Sequence, residues 1–220
     1  MKILMAVTGL ILIGFLLLHM YGNLKAFMGA EAFNHYAEWL KGDIFYPLVP
    51  YGWFVWVNRL FLLAALVLHL WSAAVLTGRS LAGRGRYQRS MDRRAQTYAA
   101  RTMRWGGLIL LFGLIYHLAQ FTVKVATTGF NSSTLPYEMV VATYSGANWW
   151  GPVMVIGYAI WMLAVCLHVR HGFASAFATL GLTTTTKSRR VLVGISVFVA
   201  VLLFVGFLIM PVSVLVGWVK

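Results

Sequence analysis

Long apolar runs separated by polar connections dominate this chain of 220 residues. A helix needs about 20 consecutive apolar residues to cross the hydrocarbon layer of a membrane. Five runs are long enough, and they lie at residues 3–21, 54–76, 103–125, 149–169 and 191–216. The pattern therefore predicts an all-α membrane protein, a five-transmembrane-helix bundle that forms a single membrane domain over residues 1–220.

Composition and charge support this class and orient the bundle. Hydrophobic residues make up 60% of the chain and charged residues only 10%, a balance foreign to soluble domains. Four of the five acidic residues lie in the first and third connections, whereas most basic residues lie in the second and fourth. The positive-inside rule then places the N-terminus and the basic connections in the cytoplasm. The arginines around the second connection are Arg79, Arg84, Arg86, Arg89, Arg93, Arg94, Arg101 and Arg104. Because membrane topology accounts for this cluster, no nucleic-acid partner is predicted.

One histidine lies in each of the first four apolar segments: His19, His69, His117 and His168. An ionisable side chain inside a membrane is costly and points to function. Counted along ideal helices, His19 and His117 are roughly 24 and 21 Å from the inner boundary. His69 and His168 are roughly 22 and 28 Å from the outer boundary. Two imidazoles at one level can ligate a haem iron from opposite faces. The depths therefore predict an outer haem held by His19 and His117 and an inner haem held by His69 and His168.

The number of cysteines limits which metal cofactor the chain could bind. Cys166 is the only cysteine, so the chain forms no intrachain disulfide. Even a Rieske iron–sulfur centre needs two cysteines with two histidines. The sequence therefore favours haem over an iron–sulfur cluster held by this chain alone.

Several cations near the ends of the segments are candidate partners for the anionic haem propionates. Snorkelling of these side chains to the lipid headgroups is the alternative for most of them. Arg59 is the exception, since its position about five residues inside a segment predicts a buried guanidinium paired with a propionate. The outer candidates are Lys25, Arg59 and Lys124, and the inner candidates are Arg79, Arg101, Arg104 and Arg170.

Polar residues near either haem level are candidates for a quinone site, and the sequence leaves both sides open. His171 follows His168 by three residues and could compete with it as ligand, but its position nearer the cytoplasm favours a quinone or propionate contact. The outer candidates are Glu38, Asp43 and Trp149, and the inner candidates are Ser72, Tyr98 and His171.

Several strings resemble one family. "VTGLILIGFLLLHMYGNLKAF" with "NHYAEWL" is similar to the start of the cytochrome b membrane anchor of succinate dehydrogenase and fumarate reductase, respiratory complex II. "RTMRWGGLILLFGLIYH" resembles its third helix, and "LHVRHGFASAFATLGL" resembles the end of its fourth. The resemblance is to the single-subunit, five-helix, di-haem type of bacteria. Ala178 departs from it, since glutamine is expected there.

The resemblance implies a role and a setting. It implies two haem b groups, with His19 and His117 on the distal one and His69 and His168 on the proximal one. Such an anchor joins a flavoprotein subunit and an iron–sulfur subunit in the bacterial inner membrane, and trimers of these heterotrimers are compatible with it. It relays electrons from succinate oxidation to quinone, often menaquinone, and is not catalytic alone.

The sequence is compatible with three other functions. The chain could be the di-haem anchor of another quinone-linked dehydrogenase or hydrogenase, which shares the histidine logic but not the strings. It could be a haem-free structural anchor. A transporter that uses membrane histidines for protons is less favoured, because no Asp or Glu lies inside the five segments.

The charge pattern predicts opposite membrane sides for the second and third connections. With Cys166 replaced, Ser90→Cys is expected to be protected from an impermeant thiol reagent in intact cells. Ser132→Cys is expected to react, because its connection carries acidic rather than basic residues. Labelling both in permeabilised cells controls for reactivity, and labelling of Ser90→Cys from outside would contradict the orientation.

Overall fold

The computed structural model describes residues 1–42, 44–82 and 93–220, with the side chains of all of these except 93–102. Much of the arginine-rich second connection, with Ser90, is outside the described residues. The described residues form seven α-helices: α1 (Lys2–Leu24), α2 (Ala30–Lys41), α3 (Trp53–Ala82), α4 (Arg93–His117), α5 (Pro136–Tyr144), α6 (Trp150–Thr179) and α7 (Thr186–Leu215). A 3-10 turn, Lys25–Met28, follows α1, and a π-helical turn, Leu118–Thr122, follows α4.

Five helical stretches in the described part of the chain are long and apolar enough to cross a membrane. They are Lys2–Met28, Trp53–Ala82, Met103–Thr122, Trp150–Thr179 and Thr186–Leu215. Large apolar side chains, such as Phe112, Phe198 and Leu63, are exposed on these helices. Exposed apolar surface on this scale suits helices that face lipid. The fold is the all-α, five-helix membrane bundle that the sequence predicts.

Helices α1 and α6 form the middle of the bundle. Helix α6 packs most extensively along α7 and also contacts α1 and α4, while α1 contacts α3 and α7 as well. Ile13 and Met20 of α1, Met162 and Cys166 of α6, and Leu203 of α7 are buried together in one cluster. Side chains on α1 and α6 are therefore held in fixed relation to those on the outer helices.

Two short helices, α2 and α5, lie in connections for which no helix is predicted from the apolar pattern. Helix α2 follows Gly29, whose φ of 94° suits glycine better than any other residue. Helix α5 begins at Pro136, with Glu138 in its first turn. A proline at the first position and an early carboxylate are helix-start signals that could have been recognised from the sequence.

These short helices pack against each other at one end of the bundle. The Tyr137 N–H donates a hydrogen bond to Asn34 Oδ1 over 3.0 Å, and Asn34 Nδ2 donates to the Glu138 carboxylate over 3.4 Å. The Tyr137 hydroxyl donates to the carbonyl oxygen of Lys220 over 2.8 Å. The first connection, the third connection and Lys220 therefore share one end, as the alternation of charge requires.

Each of the five long helices extends beyond at least one of its predicted limits. Helix α3 continues to Ala82 rather than 76, and α6 continues to Thr179 rather than 169. Helix α7 begins five residues early, because Thr185 caps it: the Ser188 N–H donates to Thr185 Oγ1 over 3.0 Å, and the Thr185 N–H donates to Ser188 Oγ over 3.1 Å. The apolar runs mark only the part of each helix that suits hydrocarbon, and polar residues carry the helices further.

Helix α4, which contains the third predicted span, ends before Val125, the limit predicted from the sequence. Its regular α-helical part stops at His117 and a π-helical turn runs on to Thr122. Lys124 then adopts a left-handed φ of 61°. Its Nζ donates to the carbonyl oxygens of Ser132 and Thr134 over 2.8 and 3.2 Å, which ties the third connection to the helix end.

Gly113 permits close packing of α4 on α6, and its substitution tests this packing. A Cβ at Gly113 would collide with the rigid indole of Trp161, whereas nothing lies within 4 Å of a Cβ at Gly106 of the same helix. Gly113→Ala is expected to lower the free energy of unfolding by about 1–3 kcal/mol. Gly106→Ala is expected to be neutral or to stabilise by up to about 1 kcal/mol, because alanine favours helix. Denaturation by sodium dodecyl sulfate in mixed micelles measures both, and equal effects would contradict the close approach.

Candidate functional site

The histidines of α1 and α4 face each other across the bundle. The imidazole rings of His19 and His117 have their centroids 5.9 Å apart and lie nearly perpendicular, at 82°. Phe15 stacks on His19 from within α1, and Phe207 of α7 packs on the same ring. Trp161 of α6 packs on His117 with a centroid separation of 5.8 Å. Four helices thus enclose this first histidine pair.

A second histidine pair joins α3 to α6. The rings of His69 and His168 have their centroids 6.4 Å apart, at an angle of 64°. Small residues line the approach, since a Cβ added to Gly9 of α1 would lie 3.3 Å from His69 Cε1, and one added to Gly107 of α4 would lie 3.9 Å from His168 Cε1. The structure thus brings the four histidines together in the two pairs expected from their depths.

The separation within each pair is close to that of two axial ligands on one iron. Metal–imidazole bonds are about 2 Å long, and each nitrogen is about 1 Å from its ring centre, so axial imidazoles have centroids about 6 Å apart. The observed values are 5.9 and 6.4 Å. No group of three or more His, Cys, Asp or Glu side chains that could hold a metal ion occurs among the described residues. A haem iron can take two imidazoles from the protein, and each pair offers that number.

A hydroxyl group sets the tautomer of His69. Thr8 Oγ1 of α1 donates to the Leu4 carbonyl oxygen over 2.8 Å, and His69 Nδ1 lies 3.2 Å from the same oxygen. With the Thr8 hydroxyl donating to the backbone carbonyl of Leu4 or Met5, we assign the proton of neutral His69 to Nδ1, which then donates to Thr8. The lone pair then lies on Nε2, and a metal-ligating histidine commonly donates its other ring N–H in this way.

The tautomer of His117 follows from a longer chain of hydrogen bonds. The Tyr158 hydroxyl of α6 donates to Gln120 Oε1 over 2.7 Å, and Gln120 Nε2 donates to Thr128 Oγ1 over 3.3 Å. His117 Nδ1 lies 3.3 Å from the Tyr158 oxygen, and we assign it as the donor because the Tyr158 hydroxyl is placed to donate to Gln120. His117 therefore also has the lone pair on Nε2, as iron ligation requires.

Three buried polar atoms at the two levels have no hydrogen-bond partner among the described residues. Two are at the second pair: His168 Nδ1 and the hydroxyl of Ser72, which lies one helical turn from His69. The third is Trp161 Nε1, beside His117. Buried polar atoms are usually paired in native proteins. Paired imidazoles at ligand spacing, defined tautomers and unpaired polar atoms beside them all fit a haem at each level.

Burial raises the pKa of Tyr144, which lies in the short helix α5 near the first histidine pair. Desolvation raises the pKa of Tyr144 well above its usual value, and the nearby Tyr158 and Tyr116 raise it further. The Tyr144 ring packs edge-on against that of Tyr158, with centroids 5.5 Å apart. Tyr144 therefore presents a protonated phenol rather than a negative charge to this part of the site.

The cations predicted to pair with haem propionates do not form one cluster in the structure. Arg59 is exposed and its guanidinium lies 5.1 Å from the Trp56 ring centroid, so it is not the buried cation expected from its depth. Lys25 lies over the rings of Tyr21 and Tyr36. Lys124 is engaged by backbone carbonyls of the third connection. Arg104 is half-buried, Arg79 and Arg170 are exposed, and the Arg101 side chain is outside the described residues.

Most predicted quinone contacts are exposed. Glu38 of α2, Trp149 before α6 and His171 of α6 are all exposed, whereas Ser72 is fully buried beside the second pair. Asp43 and the Tyr98 side chain lie outside the described residues. Because His171 is exposed and His168 faces His69, the structure favours His168 as the member of the pair.

The hydroxyl partners of the histidines, Thr8 and Tyr158, were not predicted from the sequence. Thr8 precedes its histidine by 61 residues and Tyr158 follows its histidine by 41, so neither is local. The available signal was a polar residue inside an apolar helix, which applies to Thr8, Gln120 and Tyr158 alike. Which of these faces a histidine depends on helix rotation, and apolar segments alone do not specify it.

The fold and the site define a class: a five-helix membrane bundle with two facing pairs of half-buried imidazoles. No family model, curated protein or solved structure matches this chain.

Proposed function

We propose that this chain is the di-haem cytochrome b anchor of a succinate:quinone oxidoreductase. The observation that carries the proposal is the presence of two imidazole pairs, at 5.9 and 6.4 Å, in a membrane bundle. His19 and His117 ligate one haem, and His69 and His168 ligate the other. Haem, when bound, supplies one-electron transfer at iron. The bundle holds the ligands in their paired positions.

The complex-II assignment rests on the sequence strings that resemble that family. On this assignment the basic second and fourth connections face the cytoplasm and dock the iron–sulfur subunit, which receives electrons from the flavoprotein subunit. The chain relays these electrons to quinone, for which menaquinone is proposed, in a bacterial inner membrane. The charge asymmetry supports docking on that side, because steering by a basic surface favours an acidic partner.

Loss of one histidine is expected to remove one haem of two. His19→Ala or His117→Ala should abolish one b-type component in a redox-titrated reduced-minus-oxidised spectrum and leave the other. His69→Ala or His168→Ala should do the reverse, because each iron needs both of its imidazoles. His35→Ala is a matched control, since His35 is exposed on α2, and it should keep both components. Two intact components in His168→Ala would move the ligand assignment to His171.

The donor of electrons separates complex II from other quinone-linked enzymes. In membranes that contain the whole complex, succinate is expected to reduce both haem components, and malonate should block this reduction. Reduction by hydrogen or formate but not by succinate would instead assign the chain to another dehydrogenase or hydrogenase. The His19→Ala membranes provide the control, because they should show succinate-dependent reduction of one component only.

A further inference from the structure

Each histidine pair has one imidazole that is anchored by a hydroxyl from another helix. In the first pair it is His117, which donates to Tyr158, and in the second pair it is His69, which donates to Thr8. The other member of the second pair, His168, has a buried Nδ1 with no partner among the described residues. The anchored imidazoles are therefore held by contacts that their pair partners do not share.

We propose that Tyr158 and Thr8 are positioning residues that direct Nε2 of His117 and of His69 toward iron and hold down the reduction potential of each haem. The proposal rests on the proposed function, since it assumes haem at both pairs. Neither residue would touch the iron. Both act through the imidazole, by accepting its Nδ1 proton in a hydrogen bond.

The strength of the two acceptors follows from their own hydrogen bonds. A hydroxyl that donates strongly is polarised and becomes a better acceptor. The Tyr158 hydroxyl donates over 2.7 Å to Gln120, which is fully buried and is bound in turn to Thr128. The Thr8 hydroxyl donates over 2.8 Å to a helix carbonyl. Both oxygens are thus fixed acceptors in an apolar setting, where a hydrogen bond is stronger than in water.

The direction of the effect on potential follows from the charge on iron. Donation of Nδ1–H makes the imidazole a more basic ligand at Nε2. A more basic ligand stabilises ferric iron more than ferrous iron, because the ferric ion carries one more positive charge. Removal of the acceptor should therefore raise the midpoint potential of that haem and leave the other haem unchanged.

Tyr158→Phe tests the first pair, with Tyr116→Phe as its matched control. Tyr116 directly precedes His117, but its hydroxyl contacts the Met154 sulfur over 3.7 Å and no histidine. In a redox titration, Tyr158→Phe should shift the equilibrium of the His19–His117 haem about tenfold toward the reduced form, about 59 mV for a one-electron couple. Tyr116→Phe should shift neither haem.

Thr8→Val tests the second pair independently. It keeps the side-chain shape and removes the acceptor, so the His69–His168 haem alone should become easier to reduce. Thr8→Ser retains the hydroxyl and should therefore keep the wild-type midpoint potential. Thr143→Val is the control for removal of a buried threonine hydroxyl, because Thr143 Oγ1 donates only to its own helix, to the Met139 carbonyl oxygen over 2.7 Å.

The outcomes separate this proposal from the proposed function. Upward shifts confined to the haem next to each substitution support it, as does selective loss of that haem when the control variant retains both. Two haems in the wild type with unmoved potentials in both Tyr158→Phe and Thr8→Val would overturn this proposal alone. Shifts of equal size in the test and control variants would also overturn it. A wild-type protein without haem would overturn both proposals.

Discussion

Four imidazoles inside an apolar bundle constrain almost everything else in this structure. An imidazole always has a ring nitrogen that donates and, when neutral, one that accepts, so burial without partners is costly. The bundle meets this demand by facing the histidines toward one another in pairs and by giving His69 and His117 a hydroxyl each. The Nε2 lone pairs of these two residues remain available, which is the arrangement that iron ligation needs.

The packing of the helices explains how both pairs are kept in place at once. Helix α1 supplies His19 to the first pair and Thr8 to the second, while α6 supplies His168 to the second pair and Tyr158 to the first. These two helices also pack directly on each other and on α7. A shift of α1 against α6 would therefore disturb both pairs, so the contact between them couples the two sites mechanically.

The sequence predicts the coarse structure well, because hydrocarbon length and histidine depth depend on counting residues along a helix. It predicts five spans and the two histidine pairings without knowledge of helix rotation. It does not predict the ends of the helices, since Thr185 caps α7 through a side-chain contact outside the apolar run. Arg59 shows the same limit: its depth suggested burial, but helix rotation places it on an exposed face over Trp56. The rotation of each helix about its axis also places Thr8 and Tyr158 against histidines. Helix packing sets this rotation, and the apolar pattern does not specify it.

The haem content of the purified chain tests most directly whether the paired imidazoles hold two haems. The measurement is the ratio of haem b to protein, determined from the pyridine haemochromogen spectrum and quantitative amino-acid analysis on the same detergent-solubilised sample. We expect two haem b per chain, both low-spin with two imidazole ligands in their electron paramagnetic resonance spectra. A ratio of one, or a chain that is folded and monodisperse without haem, would contradict it.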